Sequence, residues 1–370
     1  MAKLILDSLE IKSFRAFQHL LVPHLARVNL VVGKNQVGKT SLLEALWLYA
    51  RRGAPLLMWE LLKARDESVR FGERSQEDKL SAIHHLFYEA QSIRDELEAI
   101  EIGPLNSAEN RLSISVGWYT SQVDEAGHIR LHPLLSEAYN AVDHPILGLA
   151  IELSPKAPLI YHLLRPVHDL NLIWSQSEHN EINCMFISVK GLDQIEITQL
   201  WDRIALTNRE EEVMRALRII APEVERISLV SRRNGSDQRI GLVKIKQRDE
   251  PFPLRRLGDG ITRLFGIALA LVNAKDGILL IDEIENGLHY SLQPDIWHFI
   301  FRVARRLNVQ VFATSHSWEM IEAFQEAAQK GFQSDALLIR LENKSDNRII
   351  PTIFDYRKLA IATREYIEVR

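Results

Sequence analysis

The chain has 370 residues, a formal net charge of −4 and 46% hydrophobic residues. That is ordinary globular composition, long enough to bury one large α/β core or two modest ones without a disulfide or a structural metal. Cys184 is the only cysteine, which excludes an intramolecular disulfide and suits a reducing cytosol. The sequence pI of about 6.4 gives no global support for nucleic-acid binding, although a local basic face remains open. The N-terminal Met1-Ala-Lys-Leu-Ile-Leu-Asp-Ser8 lacks an apolar segment of secretory-signal length. No run reaches the roughly 18 apolar residues of a membrane span, so a cytoplasmic protein without membrane contact is expected.

Residues 4–12 and 19–32 read as strands, the second ending in a mostly apolar run over 26–32. A helix is expected over 40–50, where Leu42, Leu43, Leu46 and Trp47 recur at helical spacing. Residues 56–100 are charged, hold no proline between Pro55 and Pro104, and read as helical. Across 111–119, Leu112, Ile114, Val116 and Trp118 share one face opposite Ser113 and Ser115, the pattern of a half-buried strand. Pro145, Pro155, Pro158 and Pro166 break up 134–205, which predicts short helices and loops. Thr207-Asn-Arg-Glu210 is a capping box, opening a helix with Val213, Ala216, Leu217 and Ile220 on one face and ending at Pro222. Segments 227–230 and 240–245 flank Asn234-Gly235 and predict a hairpin. From 254 the pattern becomes regular: helix 261–273, strand 277–282, helix 292–307, strand 310–315, helix 317–329 and strand 335–341. Such alternation implies a parallel, helix-covered sheet.

Gly33-Lys34-Asn35-Gln36-Val37-Gly38-Lys39-Thr40 fits the GxxxxGK[ST] phosphate loop, directly after an apolar strand and at the start of a helix. Glycines let backbone N–H groups curl around phosphates, and the helix N-terminus adds partial positive charge. Lys39 would reach the β- and γ-phosphates of ATP, Ser41 follows in the same loop, and the Thr40 hydroxyl would ligate Mg²⁺. The apolar run before Asp282-Glu283 is a Walker B candidate. Asp282 would hold Mg²⁺ beside the loop, and Glu283 would polarise the attacking water. A buried strand often ends in acids for no catalytic reason, but the well-placed phosphate loop upstream favours the functional reading.

Gly258-Asp259-Gly260 opens a helix and offers a second anion site, against the plainer reading of Asp259 as a helix cap. His316 follows strand 310–315, where it could sense the γ-phosphate or simply be a satisfied loop histidine. The other histidines, His84, His85 and His289 among them, show no metal-ligand spacing.

Taken in order, these motifs resemble the ABC-type ATPase heads of SMC, RecF and overcoming-lysogenization-defect (OLD) proteins, and above all stand-alone ATPases of the OLD-like group. The likeness is carried by Ile11-Lys-Ser-Phe-Arg-Ala-Phe17, by 29–46 around the phosphate loop, by Leu257-Gly-Asp-Gly-Ile-Thr-Arg-Leu264, by Leu279-Leu-Ile-Asp-Glu-Ile-Glu-Asn-Gly-Leu-His289 and by Ala313-Thr-Ser-His-Ser317. The resemblance implies an α/β P-loop NTPase fold of ABC-ATPase head type, a mixed or parallel sheet flanked by helices, with a mainly helical inserted lobe. Residues 1–55 would form an N-terminal ATPase lobe, 56–250 an inserted helical and β lobe, and 251–370 a C-terminal ATPase lobe. It also implies a head-to-tail homodimer around two ATP molecules, with 258–260 as the signature meeting the partner's ATP, His316 as the switch histidine and 285–289 as the D-loop.

Two departures stand out. Many relatives carry serine where this chain has Gly258, so backbone amides would have to replace a hydroxyl contact. No long heptad array lies between Thr40 and Leu257, unlike SMC arms. The family's Q-loop glutamine is not placed by the sequence. About 30 residues follow the strand near 341, too few for the TOPRIM nuclease domain of OLD proteins, so any nuclease would be a separate chain. Two functions follow as expectations: an ATP-driven switch for an effector, such as a nuclease, in anti-phage or anti-plasmid defence, or a DNA-repair clamp of RecF type. Basic residues available to DNA are Arg232, Arg233, Lys244, Lys246, Arg255, Arg256, Arg302, Arg305 and Arg306. A transport subunit is disfavoured, because it would carry a full LSGGQ signature.

Overall fold

A computed structural model describes residues 3–67, 76–89, 98–105, 107–123, 129–134, 145–153, 158–162, 174, 180–231, 239–246, 248–344 and 348–369. The predicted strand over 19–32 is two strands, β2 (Phe17–Val22) and β3 (Val28–Val32), because Pro23 has no N–H to continue a ladder. β2 pairs antiparallel with β1 (Leu9–Phe14). Helix α1 (Lys39–Ala50) follows the phosphate loop.

The inserted stretch holds α2 (Pro55–Ala64) and α3 (Gln76–His84), then β4 (Ile100–Gly103), β5 (Leu112–Val123), β6 (Ile129–Pro133), β7 (Ile146–Leu153) and β8 (Leu159–His162). These strands join β1 and β2 in one antiparallel sheet of order β2-β1-β4-β5-β7-β8, with β6 on β5. Among the described residues, strands therefore outnumber helices where a mainly helical lobe was expected. Pro145 and Pro158 directly precede β7 and β8. A proline costs no ladder bond at a strand's edge, so two of the residues taken as loop breakers mark strand entrances. Pro155, Pro166, Asn234-Gly235 and Arg232-Arg233 lie outside the described residues.

Next come β9 (Cys184–Ile187), α4 (Gln194–Asp202), α5 (Asn208–Ile220), β10 (Val224–Ser231), β11 (Arg239–Ile245) and β12 (Phe252–Pro253). β10 and β11 form the expected antiparallel hairpin. The Thr207 cap is present, its hydroxyl accepting from Arg209 N at 3.2 Å. The box itself is altered: Glu210 accepts from Leu206 N instead of closing back on Thr207.

The C-terminal third follows the predicted order closely: α6 (Asp259–Asn273), β13 (Ile278–Ile281), α7 (Gln293–Leu307), β14 (Gln310–Thr314), α8 (Trp318–Gln329) and β15 (Ala336–Asn343). β16 (Ile349–Asp355) and α9 (Tyr356–Arg364) complete it. The second sheet has the order β16-β15-β3-β14-β13-β9, parallel throughout except for the antiparallel edge β16. Both sheets draw strands from either side of residue 55, and β9 joins the ATPase sheet from within 56–250.

Alternation along the parallel strands divides the core in two. Val31, Ile278, Leu280, Phe312 and Ile339 face α1 and the antiparallel sheet. Leu30, Leu279, Ile281, Val311 and Leu338 face α6, α7 and α8. Trp297, Phe301 and Phe324 are fully buried on that second side, and burying a Phe side chain contributes about 1.5–3 kcal/mol. Two buried amides tie down the N-terminal region. Asn29 donates to Ala26 O and Val311 O, and Gln310 donates to Leu6 O and Ala26 O. Parallel pairing brings the C-terminal ends of β9, β13, β14, β3 and β15 to one edge, the side where ligands bind in such sheets.

Candidate functional site

At that edge β3 runs into Gly33, and α1 begins at Lys39 with Gly38 as its N-cap at φ 80°. A Cβ on Gly38 would stand 2.9 Å from Phe17 Cζ and 3.1 Å from Ala16 Cβ. The β1–β2 turn therefore packs directly on the loop and admits only glycine there. Lys34, Asn35 and Gln36 are exposed at the crest, Val37 is buried beneath them, and Thr40 is half-buried. Ser41 is buried, its hydroxyl accepting from Arg65 at 3.3 Å, so this side chain faces α2's end rather than the loop. Glu44, one turn on, holds Arg65 at 2.8 Å and Arg15 of the β1–β2 turn at 2.8 Å. Burial nevertheless pushes the Glu44 carboxyl up, against the pull of both guanidiniums.

Lys39 is 6% exposed and donates from Nζ to Gly33 O at 2.7 Å and Lys34 O at 2.8 Å. Burial pushes its pKa down to about 8, while Asp282, Glu283 and Glu285 pull it back up. The ammonium therefore predominates at neutral pH. Bound polyphosphate raises the pKa again by Coulomb attraction, so the complex holds this proton more tightly than the free protein does. Nucleotide binding should accordingly take up protons near pH 8 and weaken as pH rises beyond it. Calorimetry in buffers of different ionisation enthalpy measures both, and a proton-neutral, pH-independent affinity across this range would contradict the assignment.

The two Walker B acids diverge. Asp282 accepts from Thr40 Oγ1 at 3.0 Å and from Thr314 Oγ1 at 2.6 Å. Neighbouring ligands of an octahedral Mg²⁺ at 2.0–2.1 Å lie about 2.9 Å apart. The Thr40–Asp282 oxygen pair thus has the spacing of two such ligands, and these residues could hold the ion between them. Among the described residues no group of three His, Cys, Asp or Glu is placed for a metal. Glu283 turns the other way. Its carboxylate accepts from Asn286 Nδ2 at 2.9 Å and lies 3.8 Å from His316 Nε2. Both Glu283 and His316 are about one-third exposed, so a water can reach the carboxylate. The His316 N–H donates to Glu285 at 2.6 Å, which joins the predicted D-loop to the end of β14.

The signature candidate lies beyond the Walker B strand. Gly258 has φ 101° and ψ 170°, a region essentially reserved for glycine. That is the physical reason a serine is missing: a side chain there would be strained, although nothing lies within 4 Å of the added Cβ. A Cβ on Gly260 would meet Gly287 O at 2.7 Å, so signature and D-loop touch through backbone alone. Gly258 and Asp259 are exposed, and Asp259 makes no side-chain cap.

Three features were not read from the sequence. Thr314 is fully buried and donates to Asp282 while accepting from Glu283 N at 2.8 Å, so one hydroxyl sets both acids. Arg263 spans from α6 to the ends of β9 and β13. β9 itself is the strand beside Walker B; it ends at Ile187 and continues into Ser188-Val189-Lys190, with no glutamine at that end. The Thr-Ser-His run hinted at the first, but short apolar β9 amid prolines had no periodicity to announce it.

The AAA ATPase domain family matches residues 5–118, and an AAA domain family described with the AbiEii toxin of type IV TA systems matches 199–322. A Helicobacter pylori protein named ATP/GTP phosphatase is 25% identical over 375 residues, covering 95% of each chain. An uncharacterized Methanocaldococcus jannaschii protein is 32% identical over 90 residues, which span 24% of this chain and 79% of that one. In fold, an SMC head crystallised with the C-terminal winged-helix domain of ScpA superposes with a TM-score of 0.51 at 12% identity, over 95% of this chain and 98% of that one. The two ATPase domain matches mark the chain as a P-loop ATPase that hydrolyses ATP, and its fold is that of SMC heads. Among the described residues, no helix is long and apolar enough to cross a membrane.

Proposed function

We propose that this ATPase is a nucleotide-driven dimeric switch, acting in the cytoplasm on a separate effector protein. ATP sits on the Gly33–Thr40 loop with Lys39 against its phosphates. Thr40 and Asp282 hold Mg²⁺, which when bound offsets phosphate charge. Glu283 orients and deprotonates the attacking water, and His316 reads the γ-phosphate. The observation that carries the dimer is the chain's second glycine turn. Gly258 caps a 15-residue helix, Gly258 and Asp259 are exposed, and Gly260 lies against Gly287 of the D-loop. An exposed helix N-terminus attracts anionic phosphate, and a second copy placed head to tail would supply the γ-phosphate of its own ATP. Sedimentation of the Glu283→Gln protein with and without ATP tests this. A nucleotide-dependent dimer is expected, and a variant that binds ATP yet stays strictly monomeric would refute it.

The effector reading draws on the toxin-system description attached to the 199–322 match and on the resemblance to OLD-like ATPases. A nuclease in anti-phage or anti-plasmid defence is the proposed partner, and co-expression with a nuclease encoded next door should make its cutting depend on ATP. The alternative, a RecF-like DNA clamp, has one observation in its favour. Arg215, Arg302 and Arg306 converge on buried Glu212 at 2.8, 3.3 and 2.7 Å, leaving excess positive charge at a surface of α5 and α7. Arg305, by contrast, is matched by Asp335 at 2.7 Å. A duplex affinity that falls steeply with salt and rises with ATP would select the clamp over the switch.

A further inference from the structure

Arg263 lies three residues beyond Gly260, in the first turns of α6, and its guanidinium is directed at backbone rather than at any carboxylate. One terminal nitrogen donates to Ser188 O at 2.9 Å, at the end of β9. The other donates to Asp282 O at 2.9 Å and to Glu283 O at 3.2 Å, at the end of β13. Arg263 Nε is buried without a partner, so the side chain is held for its two forked nitrogens. A fixed fork with several donors is what arginine offers and lysine does not.

The Glu283 peptide has a reason to need such a clamp. Glu283 sits at φ +46°, a left-handed conformation that a residue with a long side chain keeps only when its surroundings impose it. Thr314 Oγ1 fixes the peptide's N–H side at 2.8 Å and Arg263 fixes its carbonyl side. Between them they set where the Glu283 carboxylate points. Only Arg263 comes from the helix that begins with Gly258–Gly260.

We propose that Arg263 is a positioning residue: it holds Glu283 in its left-handed conformation and ties the aim of that carboxylate to the place of the signature helix. This rests on Glu283 being the base. A shift of the α6 N-terminus, such as contact with a partner's nucleotide would impose, is carried over one side chain to the Walker B peptide. Hydrolysis in one site thereby depends on engagement of the turn that serves the other.

The test compares the parent, Arg263→Met and Arg263→Lys in the full chain by kcat at saturating Mg·ATP, Kd for ATP and melting temperature. Misplacing a catalytic group by about 1 Å costs roughly 100-fold. Arg263→Met should therefore lose about 100-fold in kcat while Kd stays within about 2-fold. Arg263→Lys, with one nitrogen for three carbonyls, should fall between the two. Combined with Glu283→Gln, Arg263→Met should remove little more, since both act through one carboxylate. A kcat for Arg263→Met within about 2-fold of the parent overturns the proposal, as does a kcat loss matched by an equal loss of ATP affinity. Should Arg263→Met not fold, Arg263→Lys decides by the same criteria. Glu283→Gln separates the two ideas: retained hydrolysis there dismisses the base, whereas lost hydrolysis with an unaffected Arg263→Met dismisses only the clamp.

Discussion

Lys39→Ala is expected to abolish measurable nucleotide binding and, with it, hydrolysis. Lys39 is the cation at the centre of the loop, already desolvated by burial. Its desolvation cost is thus met in the folded protein before any phosphate arrives, which is why the residue contributes so much once a phosphate is present. Removing one member of a buried, hydrogen-bonded charge pair costs about 2–5 kcal/mol, or roughly 30- to several thousand-fold in Kd. The substitution also deletes the two bonds from Nζ to Gly33 O and Lys34 O, so the loop loses an internal strut as well. Calorimetric titration with ATP measures the effect, and undiminished affinity would remove the phosphate loop from the assignment.

Glu283→Gln separates binding from chemistry. Glutamine matches the shape of the carboxylate and can still meet the Asn286 amide that holds it, but it cannot accept the proton of water. Loss of a positioned general base typically lowers a rate by about 10²–10⁴-fold. The ATP affinity set by Lys39, Thr40 and Asp282 should persist, so ATP accumulates uncleaved and the closed dimer with it. Single-turnover hydrolysis alongside sedimentation reads both effects. Parental hydrolysis in this variant would rule Glu283 out and move attention to water held by other groups at the strand ends.

Some of the architecture was legible because it is local. Strand, glycine loop and helix around 28–50 are written in consecutive residues, and the same holds for the alternating helices and strands after 254. There the amphipathic period and the apolar strands point the same way, and boundaries fall within about two residues, the usual scatter of helix ends. The inserted region resisted for an equally physical reason. Its strands pair with partners far along the chain, as β1 does with β4, where Lys12 faces Glu101, and no window of sequence records that pairing. Pro145 and Pro158 read as breaks, yet a proline just before a strand gives up no ladder bond.

The sequence by itself determined the chemistry on offer: a phosphate loop, two acids at the end of an apolar strand, a glycine turn and a histidine after a buried strand. Backbone conformation and side-chain type suffice for each of those, since each is a short-range property. Only the tertiary structure decided how they meet. It brought Thr40 within 3.0 Å of Asp282, 242 positions along the chain, and turned Glu283 away from its neighbour toward His316. It set Thr314 beneath both acids and placed Arg263 across two strand ends. Those relations come from parallel pairing of strands separated by helices, which aligns their C-terminal ends at one edge. That alignment is a property of the packed sheet, and no single segment contains it.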